Sequence, residues 1–339
     1  MKRKKIVGLS AAAVCFSLVA AVLLPSDSKT SLSDAYPDKR SVSQDVENAV
    51  LHMSDDIYAE IFSLPKVYTL PWTLAAGPQP NPAGFTEDTY QDKTITVKCW
   101  RETIAISPQK SVSANFADIT IAHPTQLRTA FAGGSYGNSK REYTSVMAAA
   151  NHAVLAVNAD FYNCRTEGII LRQNTLYRSK AFGIDTLLID DHGNFIVMKD
   201  TEILKSGYLE KNRIYQSIAF GPELVRDGKA VHKKSREYSS VPCGHYADNP
   251  RTAIGQLGEL HYLVCTVDGR SFSSAGCSTN ELADIMEQKK CVTAYNLDGG
   301  QSTDMVFHDK IYNAVSNGGE RRLSDIIYFA TAVPEEEWQ

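Results

Sequence analysis

The run Cys291–Phe307, CVTAYNLDGGQSTDMVF, is an apolar strand that ends abruptly in Asp298-Gly299-Gly300 and is followed by two hydroxyls, Ser302 and Thr303. Two glycines at that place permit positive φ and close approach by another backbone or a ligand, and the hydroxyls can donate hydrogen bonds to something anionic. Asp-Gly after a strand is also a common hairpin signal, so the run alone leaves a plain turn and a presented carboxylate both open. Its neighbours share the same grammar of strand end, small residue and charge.

Working outward, TITVKCW, ETIAIS, ADITIAHP and AVLAVNADFY read as strands, with β-branched residues near alternation. DTLLIDD, NFIVMKD, SIAFGPELV, TAIGQL, LHYLVCTVD and DIIYFATAV read the same way. Small apolar residues at helical spacing predict a helix over Ser139–His152. A second is predicted over Ser278–Lys289, where Ser278 and Glu281 have the spacing of a capping box. Strands outnumber helices, without a βα rhythm or internal repeat. The expected fold class is therefore α+β, a mixed, mostly antiparallel sheet with few helices.

With 339 residues, 43% hydrophobic and 22% charged, the chain suits one large globular domain plus appendages. A net charge of -4 gives no basic footprint, which argues against nucleic acid as a partner. Lys2, Arg3, Lys4 and Lys5 form a basic tail ahead of the uncharged run Ile6–Leu24, long enough to span a bilayer. A cleaved signal peptide is the rival. Its apolar region is usually shorter, and the small-residue pattern Val19-Ala20-Ala21 lies inside the run, which favours an uncleaved anchor. The expectation is a single-pass protein of the cell membrane with its globular part on the extracytoplasmic side. Residues 25–92 read as a stalk with a short helix around Val46–Phe62, residues 93–333 as the folded domain and 334–339 as a tail. Six cysteines follow the apolar run: Cys99, Cys164, Cys243, Cys265, Cys277 and Cys291. Their wide spacing fits no zinc pattern and assigns no disulfide pairs.

Five segments are candidates for chemistry. Asn158-Ala159-Asp160-Phe161-Tyr162 sets a carboxylate beside an amide and aromatic rings, which suits a sugar, although Asn158 reads equally as a turn former and Phe161 as core. In Asn249-Pro250-Arg251-Thr252 an arginine enters an apolar strand, where it either pairs with a buried acid or clamps a phosphate through its planar fork. Thr266-Val267-Asp268-Gly269-Arg270 closes a strand with another Asp-Gly and another arginine. At Gly276–Glu281 a helix start offers backbone N–H groups to an anion, and Glu281 either caps the helix or points into the site. Arg321 and Arg322 precede the last strand, where exposed arginines are usually solvated.

In order along the chain, NADFY (158–162), GPELVRDGK (221–229), NPRTAIG (249–255), VDGR (267–270), SAGCSTNELADIM (274–286), NLDGGQSTDMV (296–306) and ERRLSD (320–325) resemble the blocks of the phosphodiester glycosidase family. The resemblance covers about Lys93 to Val333. It implies an exported hydrolase that cuts between a sugar's anomeric carbon and a phosphodiester oxygen, with the blocks gathered at one pocket of an α+β domain. Relatives in bacteria point towards exopolysaccharide or cell-wall glycopolymers. Ala159 stands where the family commonly has glycine, and Gln301 where a third glycine is frequent; neither departure removes a charged group.

Such a bond breaks through an oxocarbenium-like state with phosphate as a good leaving group, so charge placement matters more than strong acid assistance. Asp298 is the expected catalytic carboxylate, with Asp268 and Glu281 next. Arg251, Arg270 and Arg321 are expected on the phosphodiester. Asn158, Asp160, Phe161, Thr252, Gly299, Gly300 and Ser302 are expected to line the substrate. Asp160, Asp268 and Asp298 are also an oxygen-ligand set for Mg²⁺ or Ca²⁺, but there is no D-x-D-x-D loop or histidine pair, and no cofactor is required by the scheme. Two rivals are a membrane-anchored glycopolymer binder without turnover and a phosphodiesterase that cuts the phosphorus–oxygen bond.

Overall fold

The computed structural model describes residues 67–137, 139–234 and 246–338. The expected anchor (6–24), the stalk helix around Val46–Phe62 and Cys243 lie outside them. Among the described residues no helix is long and apolar enough to cross a membrane.

Strand alternation is realised as four antiparallel sheets. The largest has eight strands in the order β1 (Thr89–Gln91), β2 (Ile95–Ser107), β3 (Lys110–Ile121), β14 (His261–Val267), β13 (Arg251–Gly258), β15 (Thr293–Asn296), β11 (Glu223–Arg226) and β12 (Lys229–Ala230). A five-stranded sheet runs β17 (Lys310–Ile311), β16 (Met305–Phe307), β5 (Leu155–Asn158), β18 (Asp325–Phe329) and β4 (Leu127–Phe131). Smaller sheets are β10 (Ile214–Ile218), β8 (Asp185–Asp190) and β9 (Phe195–Lys199), and the hairpin β6 (Gly168–Arg172) with β7 (Thr175–Lys180). The helices are α1 (Thr144–Ala150), α2 (Asp200–Ser206), α3 (Tyr208–Lys211) and α4 (Thr279–Gln288). This is the expected mostly antiparallel α+β class. The main core is built from both large sheets: Val97, Ile119, Val264, Ile254 and Tyr295 of the first pack with Leu155, Val157, Met305 and Ile327 of the second. Burying such side chains contributes roughly 1.5–3 kcal/mol each before chain entropy is counted.

Three sequence expectations shift. TITVKCW and ETIAIS are one strand, β2, paired with β3 without a break from Ile95↔Ile121 to Ala105↔Ser111. Arg101 and Glu102 sit in its exposed part, so their polarity marks solvent and not a turn. The helix expected from Ser139 begins only at Thr144, because Glu142 is drawn into an extended bridge with Leu323, N–H to carbonyl in both directions at 2.9 and 2.7 Å. Finally, the compact unit starts at Tyr68, ahead of the expected Lys93. Buried Arg128 holds this earlier segment by donating to the carbonyls of Pro71, Thr73 and Ala75 at 3.1, 2.6 and 2.9 Å.

Five cysteines, Cys99, Cys164, Cys265, Cys277 and Cys291, are free thiols. Burial pushes the thiols of Cys277 and Cys291 up to about 12, so they behave as small apolar side chains.

Candidate active site

Antiparallel pairing brings one end of the two large sheets together. The C-terminal ends of β5 and β15 lie there with the N-terminal ends of β13 and β18, since Ala253 is opposite Asn296 and Ile326 is opposite Asn158. The chain leaves these ends as Asn158–Phe161, Leu297–Gly300, Pro250–Arg251 and Ser324–Asp325.

Asn158 ties them to one another and is wholly buried. Its Nδ2 donates to the Asp298 carbonyl at 2.6 Å, and its Oδ1 accepts from Thr252 Oγ1 at 2.8 Å and from the Asp304 N–H at 3.2 Å. Asn158 and Thr252, expected on substrate, are thus committed to each other and to the turn. Gly299 and Gly300 serve the same close approach. A Cβ at Gly299 would lie 2.8 Å from the Pro250 carbonyl, and Gly300 has φ +66° with its absent Cβ 3.0 Å from the Arg270 guanidinium. The expected need for small residues is met, with neighbouring backbone and Arg270 as the occupants.

The turn presents Asp298. Its Oδ1 accepts from the Gly299 N–H at 2.9 Å, while Oδ2 is buried without a partner among the described residues. Burial raises its pKa, and Ser302, the Gly299 N–H, Arg321 and Arg165 pull it part of the way back. Ser302 is close enough for that effect, yet its Oγ and Oδ2 fall outside hydrogen-bond geometry with each other. Thr303 Oγ1 and Asp304 Oδ1 are also buried and unpartnered. Each such atom costs about 1–3 kcal/mol if left so, and a cluster of them at a strand end favours an incoming polar ligand.

Asp304 was not singled out from sequence. It is fully buried, accepts from Thr144 Oγ1 at 3.0 Å, and its pKa is pushed up to about 8 by burial, with the charges of Glu320 and Asp298 adding to the rise. Asp304 therefore keeps its proton at neutral pH, while burial raises Asp298 and the neighbouring Arg321 and Arg165 charges oppose that rise.

Two guanidinium charges, Arg321 and Arg165, act on Asp298. Arg321 lies 4.5 Å over the Phe161 ring and Arg141 lies 5.0 Å from it. Arg321 is placed by its neighbours: Glu320 accepts from the Ser145 N–H at 2.9 Å and Ser145 Oγ at 2.6 Å at the start of α1, and Leu323 holds the bridge to Glu142. Arg270, in a left-handed conformation at φ +56°, reaches over Gly300 with Nη2 3.0 Å from Asn249 Oδ1. Arg165, which the sequence reading missed, donates to the Asp160 carbonyl at 3.1 Å and lies 5.3 Å from the Phe220 ring. It follows a 3₁₀ turn, Tyr162–Cys164, in a segment with no strand-end signal, so nothing local marked it.

Other expected residues have different work. Asp160 is wholly buried in a triad with Arg172 and Asp325, with Arg172 Nη2 at 3.3 and 2.9 Å from the two carboxylates. Burial opposes ionisation of Asp160, but Arg172 and Arg165 hold it below the usual carboxylate range, while burial and the Asp160 charge raise Asp325. Asp325 Oδ1 accepts the Phe161 N–H at 3.1 Å and so supports Phe161 at φ +49°. Phe161 is buried core carrying the two arginines. Asp268 accepts from Asn115 Nδ2 at 2.9 Å and the Ala314 N–H at 3.2 Å, and burial raises it.

Two of the expected site residues have partners within the fold. Arg251 is buried with Nε on the Cys277 carbonyl and Nη2 on the Ala247 carbonyl, both at 2.8 Å. Glu281 completes the capping box of α4 with Ser278 and pairs with Lys110 at 2.7 Å; burial notwithstanding, these partners lower its pKa. It is a cap. The cation set is not assembled either: Asp160 is spent on Arg172, Asp268 on Asn115, and among the described residues no three metal-ligating side chains gather.

The architecture defines a class: an antiparallel α+β domain that presents a partly desolvated carboxylate at its strand ends, in the field of two guanidinium groups. The sequence profile of the family described as phosphodiester glycosidase matches residues 151–330, and the chain belongs to that family. Among solved structures, the catalytic domain of zebrafish N-acetylglucosamine-1-phosphodiester alpha-N-acetylglucosaminidase, auto-inhibited by its pro-peptide, is similar with a TM-score of 0.58. That match has 19% identity and covers 76% of this chain and 87% of that one, which shows the shared fold. The SPbeta prophage-derived uncharacterized protein YomE of Bacillus subtilis (strain 168) is 28% identical over 198 residues. The match takes in 57% of this chain and 30% of that protein, so the chain spans about a third of the relative's length.

Proposed function

We propose that the protein hydrolyses sugar-1-phosphodiesters at the bond between the anomeric carbon and the phosphodiester oxygen. The observation that carries this reading is Asp298, with a buried, unpartnered Oδ2 in the field of Arg165 and Arg321, and with Arg270 over the neighbouring Gly300. The guanidinium groups bind the phosphodiester and stabilise the charge it gains as the C–O electron pair moves onto its oxygen. Asp298, as the carboxylate, faces the developing oxocarbenium ion and accepts the proton of the attacking water. Asp304 stays protonated and adds no competing charge. Family membership and the zebrafish fold match support the reaction class.

The same proposal includes anchoring by Ile6–Leu24 with the domain on the extracytoplasmic side, and a glycopolymer of the cell wall or exopolysaccharide as the natural diester. No metal takes part in the scheme.

The test is hydrolysis of a hexose 1-(methyl phosphate) diester by the full-length protein in ¹⁸O-water. Label in the released sugar supports cleavage at the anomeric carbon. Label in phosphate would instead make the protein a phosphodiesterase, and absence of turnover across a panel of hexose diesters would make it a binder.

A further inference from the structure

Arg141, Arg321 and Arg322 have neither a hydrogen bond nor an ion pair among the described residues, and all three meet at one place. Arg141 and Arg321 lie 5.0 and 4.5 Å from the centroid of the Phe161 ring, and Arg322 lies 5.3 Å from that of Tyr143. Every other described arginine donates to a carbonyl, an amide oxygen or a carboxylate.

The three come from two short stretches, Arg141 from the one before α1 and Arg321-Arg322 from the one before β18, joined by the bridge between Glu142 and Leu323. Each stretch carries its own acid, yet neither acid neutralises an arginine. Glu142 accepts from the Gly133 N–H at 2.6 Å, and Glu320 is occupied by the Ser145 N–H and Oγ. A cationic ribbon is thus kept in a chain whose net charge is -4.

Exposed arginines are ordinarily solvated, and these differ in placement. Contact with a ring fixes the guanidinium plane and leaves its N–H edge unspent, the form in which arginine takes a phosphate. Burial raises the Cys164 thiol and Asp298 adds to the rise, while Arg141, Arg321 and Arg165 oppose it. Arg141 therefore opens on the space that holds Asp298 and the two arginines acting on it, and not on a remote face. Arg165 and Arg321 already outweigh the single negative charge of a phosphodiester. Arg141 and Arg322 exceed what that group needs.

We infer that Arg141 and Arg322 form a second phosphate site beside the first, so that the substrate is a polymer with a phosphodiester in every repeat, cut within its length. The inference rests on the hydrolase reading for the bond that is cut, and on the ribbon alone for the second phosphate. A polymer of neutral repeats would give the ribbon nothing to bind.

The test compares two synthetic substrates on the full-length protein: a hexose 1-(methyl phosphate) diester, and a linear trihexose whose units are joined through anomeric phosphodiesters. At low salt the trihexose is expected to have a KM about tenfold or more below that of the single diester, an advantage that shrinks as salt rises. Arg141→Gln and Arg322→Gln each remove most of that advantage with kcat unchanged, and both leave the single diester's kinetics as in the wild type, which shows that the variants fold. Equal KM for the two substrates, or an advantage untouched by either variant, overturns the second site even if both diesters are hydrolysed. An equal loss on both substrates also overturns it, since the arginines would then serve the first phosphate. If neither substrate is turned over, calorimetric binding of the trihexose that weakens about tenfold in each variant keeps the second site and sinks the hydrolase. Phosphatidylglycerol vesicles supply the last arm: vesicle binding lost in both variants, with trihexose kinetics intact, makes the ribbon a membrane contact and overturns the proposal.

Discussion

Asp298 and Asp304 belong to one short turn, Asp298 half-buried and Asp304 wholly buried, and burial raises the pKa of both. Asp298 loses its function as base when protonated, so Asp298→Asn is expected to lower kcat by about 10³-fold or more with little change in melting temperature, as kinetics and calorimetry will show. Burial raises its pKa, so the acid limb of the kcat/KM profile should lie above the ordinary aspartate value of about 3.9. The alkaline limb belongs to Asp304, which gives up its proton at about 8 and then places a second charge beside Asp298. That limb is expected to vanish in Asp304→Asn. The same group makes a signed prediction for stability. The native state keeps the Asp304 proton up to about 8 while the unfolded chain releases it near ~3.9, so its stabilisation is complete below pH ~4 and is lost as pH rises through 8. Relative to the wild type, Asp304→Asn should therefore gain on the order of a few kcal/mol between pH 5 and 8.5, measured by urea unfolding at both values.

Among the elements, the strand ends β5 and β18 are clamped by the Asp160–Arg172–Asp325 triad, and the clamp supports Phe161 and hence Arg321. Removing the cation leaves two buried carboxyls unpaired, so Arg172→Met is expected to cost about 3–5 kcal/mol in chemical denaturation. At α4 the expectation is the opposite kind. Glu281→Ala removes a capping-box partner and the Lys110 pair, which costs about 1 kcal/mol or somewhat more, and leaves kcat unchanged. A large loss of kcat in Glu281→Ala would return that residue to the catalytic group. These contrasts show what was legible in sequence. The Asp-Gly-Gly turn, the capping box and the alternating strands each write their signal within one segment, where local chemistry decides. Arg165 and Asp304 carry no such mark, because their importance comes from which strand ends the register brings together. Arg251 offered an acid or a phosphate as partners, and its Nε and Nη2 donate to carbonyls of Cys277, just before α4, and of Ala247, which no local pattern announces. The first turn of the helix expected from Ser139 was lost to a bridge with Leu323, far along the chain.

For the molecule as a whole, the segment before β2 belongs to the domain. Polar and proline-rich composition reads as a spacer, but Leu70 and Tyr90 are buried, Trp72 meets Tyr215 edge-on at 4.0 Å, and Tyr90 donates to Asp92 at 2.8 Å. Arg128 is wholly buried and three of its hydrogen bonds end on carbonyls of this segment, which no pattern in residues 67–92 announces. A chain cut at Lys93 therefore strands a desolvated guanidinium and uncovers aromatic core, at a cost of several kcal/mol. A fragment from Val67 to Gln339 is expected to melt cooperatively, and one from Lys93 to melt on the order of 10 °C lower or to aggregate. Equal melting temperatures for the two fragments would show that Arg128 finds other acceptors and that the earlier segment is a spacer after all. Because Arg128 lies on β4, which pairs with β18, the strand that begins at Asp325, the shorter fragment should also lose hydrolysis. Loss of activity at unchanged melting temperature would instead place the segment's contribution at the site itself.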